Sequence, residues 1–457
     1  MHIHHTLKIL LWALLVLPAA SCKKYLEIDP ASNLVTTGDA YTSDASATSA
    51  VLSMYSYYPT TYCLQYFTYL GGLASDELQY TGSVAGLQEF AQSAVSATNS
   101  YNESYLWTYP YQVIREANLA INGITSSAAL SAATRSQLLG EAKFFRAFIY
   151  FNLVNYMGGV PLSLDPVELN NAYLSRAAAD TVYNQVIADL KDAQSLLPES
   201  YAGTASLKAR VNKWAATALL ARVYLYVKNY PGAEAEAAKV INAGVYALPE
   251  LSSTFQNTSS ETILQVASIN GYSPVFGAYR TASSNDNVAP PVYTLSAGMA
   301  GAFEAGDNRR SAWVDSTTYN NVKYYRINKY KLSTATTGNE YTVLLRLAEQ
   351  YLIRAEARAQ QANIGGAQSD LDEVRRRAGL GNTTAATRES LLLAVAQERR
   401  AELFGEFSHR WFDLKRTGLA DAVLGALKPT WKSTAVLMPV PYNQRLQNTN
   451  LTQNPGY

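Results

Sequence analysis

Apolar residues recur at helical spacing along most of this chain. In Thr181–Leu197 they fall at positions 182, 186, 190, 193 and 197, a single stripe down one helix that Pro198 closes. Thr134–Tyr156 predicts a longer and more apolar helix, stopped by Gly158 and Gly159 with Pro161 just beyond. Ser104–Ile124 predicts another, with Pro110 as a kink or a start. Two helical hairpins follow. Val211–Val227 turns at Lys228–Pro231 into Gly232–Ala243, and Thr342–Gln361 turns near Gly365 and Gly366 into Ala367–Ala378. Alanines on each first helix leave room for the second to approach. The pattern is similar to tetratricopeptide hairpins, matched loosely enough to predict hairpins and not a regular array.

The pattern changes between about Tyr246 and Glu340. Ser, Thr, Asn, Gly and Tyr dominate there, and short runs such as Thr262–Ala267 and Asn321–Tyr330 read as strands between long loops. Loops of this length inside a compact protein usually carry function. Tyr55–Thr81 is a comparable Tyr-rich stretch, and these two regions are where a small-molecule surface is expected. The predicted fold class is mainly α: tetratricopeptide-like hairpins form a scaffold at about 104–243 and 341–418, and a loop-rich insertion with short β-strands fills about 246–340. Residues 22–457 are read as a single domain.

The first residues have another logic. Lys8 precedes nine unbroken apolar residues, Ile9–Leu17, and then Pro18, Ala19, Ala20 and Ser21 lead to Cys22. A positive end, a short apolar core and small residues at a cleavage site make a secretory signal over 1–21. The run is far short of the roughly 18–20 residues a membrane-spanning helix needs. Ala19-Ala20-Ser21-Cys22 resembles a bacterial lipobox, so Cys22 is expected to carry lipid that tethers the mature chain. The polar stretch Ser32–Ser49 reads as the approach to the body. Cys63 is then left without a disulfide partner and is expected to be a small buried hydrophobe.

With Lys8 removed, the mature chain balances 36 basic against 36 acidic side chains. That balance argues against a nucleic-acid partner and is compatible with an uncharged ligand. Tyrosine supplies 33 of the 51 aromatic residues. Its flat apolar face and polar tip suit wet binding surfaces. Enzyme chemistry finds little support. His409 is the one histidine after the leader, so no zinc-type ligand set exists, and neither a Walker-type loop nor a Gly-x-Ser-x-Gly elbow occurs. No calcium-loop signature is present, and no cofactor is expected. Two carboxylates of a glycosidase could lie anywhere; Asp76-Glu77 and Asp307 are the acids to inspect, the former a loop pair and Asp307-Asn308-Arg309 a structural turn.

Glu398–Gly418 (ERRAELFGEFSHRWFDLKRTG) is the most distinctive segment. Leu403, Phe407, Trp411 and Leu414 follow at four, four and three, which predicts one apolar helix face. The charges flanking it predict ion pairs at one-turn spacing, with His409 in a packing role in preference to an acid/base one. Charges at Arg346, Glu349, Arg354, Glu356 and Arg358 likewise read as flanks of a packed hairpin. Together with Ser21–Leu26, Glu141–Ala147 (EAKFFRA), Tyr156–Leu162 (YMGGVPL), Ala218–Tyr224, Leu345–Ala357 and the closing Asn448–Tyr457, this segment resembles the SusD/RagB family of outer-membrane nutrient-binding lipoproteins over essentially the whole chain.

The resemblance implies a mostly helical protein that caps a SusC-like TonB-dependent transporter and hands it oligosaccharides, or in some members peptides. The expected activity is therefore glycan binding at the cell surface, through a lipid anchor in the outer membrane. A surface glycoside hydrolase and a peptide-binding scaffold are the alternatives. A sugar ring needs an exposed aromatic face with amides beside it. Tyr66, Tyr69, Tyr80, Tyr272, Tyr279 and Trp313, with Gln79 and Asn270 as polar neighbours, are the candidate ligand contacts; Trp107 and Trp411 are assigned to the core.

Overall fold

The computed structural model describes residues 40–203, 207–268, 273, 289–332 and 340–457. The expected leader, Cys22, Asn270, Tyr272 and Tyr279 lie outside them. Within them the protein is mostly helical, as its apolar spacing predicts. No described helix is long and apolar enough to cross a membrane.

The polar approach already turns helical at Asp44. Ser43 and Ser46 form a reciprocal capping box that starts α1, Asp44–Ser56. Helix α2, Tyr58–Ala74, follows at once, so the Tyr-rich stretch at Tyr55–Thr81 is mainly helix. Strand β1, Leu78–Tyr80, leaves α2. A π-helical turn at Ser104–Thr108 runs without a break into α3, Tyr109–Ser126, and Pro110, which has no N–H to donate, sits just after that turn. Helix α4, Ala132–Met157, is capped by Ser131 and ends on Gly158 at φ 72°. Every residue from Phe144 to Met157 in it is buried, so it forms the central rod. Helix α5, Ala179–Leu196, and α3 pack along it. The Arg146 guanidinium joins all three, bonding Asp189 at 2.7 and 2.8 Å and Asn118 at 2.9 Å.

Both predicted hairpins form: α6, Lys213–Tyr226, with α7, Tyr230–Asn242; and, after the insertion, α8, Leu347–Gln360, with α9, Ile364–Arg377. Their turns are the same device. Lys228 and Ala362 adopt left-handed conformation at φ 60° and 59°. The N–H groups of Asn229 and Asn363 reach back to Tyr224 O at 2.8 Å and Arg358 O at 2.9 Å. Each Asn side chain then caps the next helix at Gly232 or Gly366. A Cβ on either glycine would meet that Asn side chain at 2.6 or 2.7 Å, so any other residue would push the cap aside. The repeated Asn-x-x-Gly-Ala at 229–233 and 363–367 is thus a legible turn signature. The fully buried Ala216, Ala218, Ala348 and Ala355 mark the close helix approaches. Helix α7 packs directly on α8, so the hairpins stack across the intervening insertion.

The insertion contributes β2, Thr262–Val266; β3, Tyr293–Leu295; β4, Val314–Tyr319; and β5, Val322–Ile327. Strands β4 and β5 form a hairpin through Asn320 and Asn321, both at positive φ, where one strand at 321–330 was expected. The helix predicted from Thr342 begins instead with a strand, β6, Thr342–Arg346, paired antiparallel with β2. All five residues of each are buried, so both faces want apolar cover and helical amphipathicity has no part in it.

The closing motif also departs from a single helix. Helix α10, Arg388–Leu403, ends, Phe407 and Ser408 turn at positive φ, and α11, His409–Arg416, begins. Leu403, Phe407, Trp411 and Leu414 are nevertheless all buried, at 1, 6, 1 and 1 % exposure: Leu403 joins the smaller cluster of the second hairpin, and the turn aims Phe407, Trp411 and Leu414 into the main core. Asp413 pairs with Arg416 at one-turn spacing, at 2.7 Å, but most of the ion pairs reach far in sequence. Glu402 meets Arg309 at 2.9 Å and Arg346 at 2.5 Å and also pairs with Arg377; Arg346 bonds Glu261 and Glu406 at 2.8 Å; Lys329 pairs with Glu406. Arg309 also bonds Asp307 and Glu398, making the expected turn at 307–309 part of this buried network.

Candidate ligand-binding surface

Two helical Tyr series meet on one surface. Tyr62, Tyr66 and Tyr69 lie at spacings of four and three along α2, hence on one side of it. Tyr101, Tyr105 and Tyr109 repeat every four residues through Ser100–Glu103, the π turn and the start of α3. The two rows interleave. Tyr66 and Tyr105 stack with ring centres 3.5 Å apart, Tyr62 lies 5.8 Å from Tyr105, and Tyr101 lies 5.7 Å from Tyr66. Tyr109 closes the row edge-on to Tyr105 at 5.4 Å. Tyr62, Tyr66, Tyr101, Tyr105 and Tyr109 are all half-buried, so the row keeps ring surface open to solvent. A π turn inside a helix is frequent at functional sites, and here it sets Tyr105 against Tyr66.

Strand pairing extends the row. The antiparallel register of β1 and β3 places Tyr80 opposite Tyr293 and Gln79 opposite Thr294. Tyr293 stacks on Tyr69 at 4.7 Å and meets Tyr80 at 5.6 Å. Tyr69 is 1 % exposed, so it supports the row from below and offers no face. Tyr80 is half-buried and Gln79 is exposed. Both line a cleft of about 570 Å³ whose walls include the exposed Gln88 and Gln92 together with Ser296 and Lys428. The short connection carrying Gln88 is pinned by Glu89, whose carboxylate accepts from the Ser96 N–H at 2.8 Å, the Ser96 hydroxyl at 3.0 Å and the Asn99 amide at 2.8 Å.

The acids beside this cleft are committed elsewhere. Asp76 accepts from Arg410 Nε at 2.6 Å and from Arg400 at 2.9 Å. Burial opposes its ionisation, yet those two guanidiniums hold its carboxyl below the ordinary value. Glu77 is fully enclosed and accepts from the Gly405 N–H at 2.9 Å. Burial pushes its carboxyl up to about 7. The folded state therefore binds a proton that the unfolded state has lost between about pH 4.3 and 7, so stability attributable to Glu77 falls as pH rises through that window. Glu77→Gln is expected to remove that slope. The stability difference between native protein and variant, read from urea unfolding at pH 5 and 7.5, is expected to change by on the order of 3 kcal/mol; an unchanged difference would refute the protonated state.

Of the other sequence candidates, Trp313 is corrected to a core residue. It is 1 % exposed, donates its indole N–H to Leu251 O at 3.1 Å, and has the Lys329 ammonium 4.9 Å from its ring centre. Of the polar residues near it in sequence, Asp307 and Arg309 are buried and Asn308 and Ser311 exposed, a mixture that resembles a surface loop. His409 is 5 % exposed, and burial with Arg222 and Arg399 nearby holds its imidazole well below the ordinary value. Its Nε2 stands 4.0 Å from Glu349. Cys63 is fully buried, and burial pushes its thiol up. Tyr62, Tyr101, Tyr105, Tyr109, Gln88 and Gln92 are members of the surface that sequence reading missed. Their signal is the four-residue spacing within each set.

This architecture, stacked helical hairpins with a strand-bearing insertion locked to a closing helical motif, is a known one. Residues 24–225 match the family described as "Starch-binding associating with outer membrane", and residues 301–457 match the SusD family. A SusD-like protein, P25, of Formosa agariphila is 24 % identical over 98 % of this chain and 99 % of its own length. A SusD superfamily protein of Bacteroides vulgatus superposes with TM-score 0.79 at 18 % identity, covering 91 % of this chain and 100 % of its own. A laminarin-binding SusD-like protein superposes with TM-score 0.75 at 25 % identity, covering 91 % and 100 %. The chain belongs to the SusD/RagB family of outer-membrane-associated proteins.

Proposed function

We propose that this protein is a lipid-anchored glycan-binding protein of the outer face of the outer membrane, which captures an oligosaccharide and delivers it to a SusC-like TonB-dependent transporter. The observation that carries the reading is the row of half-open tyrosine rings running into a cleft walled by Gln79, Tyr80, Gln88 and Gln92. Ring faces stack on the C–H faces of a sugar, and the exposed amides of Gln79 and Gln92 match its hydroxyls, while Gln88 spends its own amide N–H on Gly82 O at 3.2 Å. The laminarin-binding relative supports the ligand class. Cys22, with the apolar run and small residues before it, supports the anchor. Asn270, Tyr272 and Tyr279 belong to the insertion that leads into β3 and remain candidates for the same surface. The commitment of Asp76 to two arginines and the enclosure of Glu77 favour capture over hydrolysis.

Calorimetric titration with a panel of oligosaccharides tests the reading. Tyr80→Ala and Tyr66→Ala are each expected to weaken the best ligand at least ~10-fold while leaving the circular dichroism spectrum unchanged. Affinity unchanged in both variants would remove the site from this surface. Release of reducing ends, or binding of peptides and no glycan, would overturn the function itself.

A further inference from the structure

A second cleft lies on the other side of the π turn. From Tyr105 to Trp107 the chain advances two residues, roughly half a turn round the helix, so Trp107 faces away from the tyrosine row. Trp107 lines a cleft of about 450 Å³, within the ordinary range of small-ligand pockets, together with Tyr111, Gln112, Tyr173 and Gln447. Trp107 is 4 % exposed, and its ring leans on that of Tyr111 at 5.3 Å. Among the described residues nothing accepts its indole N–H, whereas Trp313 and Trp431 both donate theirs to oxygen. Nor is that nitrogen among the sealed, unpaired polar atoms, as those of Trp214 and Trp411 are. It is a fixed donor open at the cleft wall.

The remaining groups have the same character. Tyr173 is 69 % exposed, an aromatic face with little cover. The Gln112 and Gln447 side chains make no bond within the described protein and are free at the cleft. Most of the charged rim is paired: Arg115 lies 2.8 Å from Glu116, and Asp165 accepts from the Val167 N–H at 2.7 Å and the Asn170 amide at 2.8 Å, while Glu168 stands in water 4.0 Å from Arg115. Inside that rim the groups without a protein partner are neutral: one fixed N–H, two amides and an open ring. We propose that this cleft is a second saccharide-binding site, independent of the tyrosine row, with Trp107 Nε1 donating to a sugar hydroxyl and Tyr173 covering a ring face.

The proposal takes its ligand class from the function proposed above, and one experiment separates the two. Laminari-, cello-, malto- and xylohexaose are titrated calorimetrically into the full mature protein. A hexasaccharide that binds is expected to do so at two sites. Tyr173→Ala with Gln447→Ala, both exposed positions, is expected to leave one, and Tyr66→Ala with Tyr80→Ala is expected to leave the other. In a ¹H–¹⁵N spectrum, the indole resonance that Trp107→Phe removes is expected to shift on titration. A single site untouched by Tyr173→Ala with Gln447→Ala, with that resonance unmoved, overturns the second site and leaves the function standing. A single site lost only with Tyr173 and Gln447 supports this cleft and removes the tyrosine row. No binding by any of the four overturns both.

Discussion

Glu402→Ala is expected to destabilise the protein by about 3–5 kcal/mol, the usual cost of breaking a buried ion pair from one side. Glu402 is fully buried, and three guanidiniums, those of Arg309, Arg346 and Arg377, converge on its carboxylate. Burial opposes its ionisation, and the arginines overcome that, holding its carboxyl well below the ordinary value. Alanine would leave those cations without their shared counter-charge, and only Glu261, Glu398, Glu406 and Asp307 would remain near them. The members of this network come from β6, α9, α10 and the segment around Arg309, so its loss would separate the insertion from the closing motif. The urea midpoint or melting temperature checks it. Loss of the exposed Arg376–Glu373 pair, by contrast, is expected to cost under about 1 kcal/mol, since both side chains stay in water. If the two changes cost the same, the network is not what joins these elements.

How much of this was legible in the sequence depends on what each residue answers to. The long helices and hairpins were legible because their apolar stripes reflect local periodicity. The Asn-x-x-Gly-Ala turns were legible in principle too, since cap and glycine act within one turn of each other. What was not legible is set by distant partners. Thr342–Arg346 joins a strand because Thr262–Val266 lies beside it, and nothing in its own spacing says so. Glu398–Gly418 keeps its apolar spacing through a left-handed turn at Phe407 and Ser408, so periodicity alone reads it as one helix. At the site, Tyr66 and Tyr80 were legible as Tyr-rich texture. Their companions Tyr105 and Tyr293 are 39 and 213 residues further along, respectively, and only helix packing and strand register bring them in. Trp313 failed for the converse reason: two of its charged neighbours, Asp307 and Arg309, point inward to a buried network.

Asp76→Ala is expected to lower both stability and ligand affinity, because Asp76 ties the closing motif to the strand that carries Gln79 and Tyr80. Its carboxylate bridges Arg400 of α10 and Arg410 of α11. Its carbonyl accepts from the Ser296 hydroxyl at 2.5 Å, and Ser296 directly follows β3. Removing the carboxylate leaves two like charges facing each other with little solvent. The expected cost is about 2–3 kcal/mol, below that for Glu402 because both guanidiniums keep some contact with water. Asp76→Asn keeps the shape and one acceptor and is expected to fall between. The pH dependence has a definite sign. A carboxyl held below its ordinary value binds its proton more readily unfolded, so its stabilisation is present above about pH 3.9 and is lost as pH falls toward the folded value. The gap between native protein and Asp76→Ala should therefore narrow in acid, in unfolding measured at pH 3 against pH 6. Affinity for the best oligosaccharide should drop at least ~10-fold in the variant at pH 6, where it remains folded. A variant as stable as the native protein and binding as tightly would show that β1 is positioned by its pairing with β3 alone.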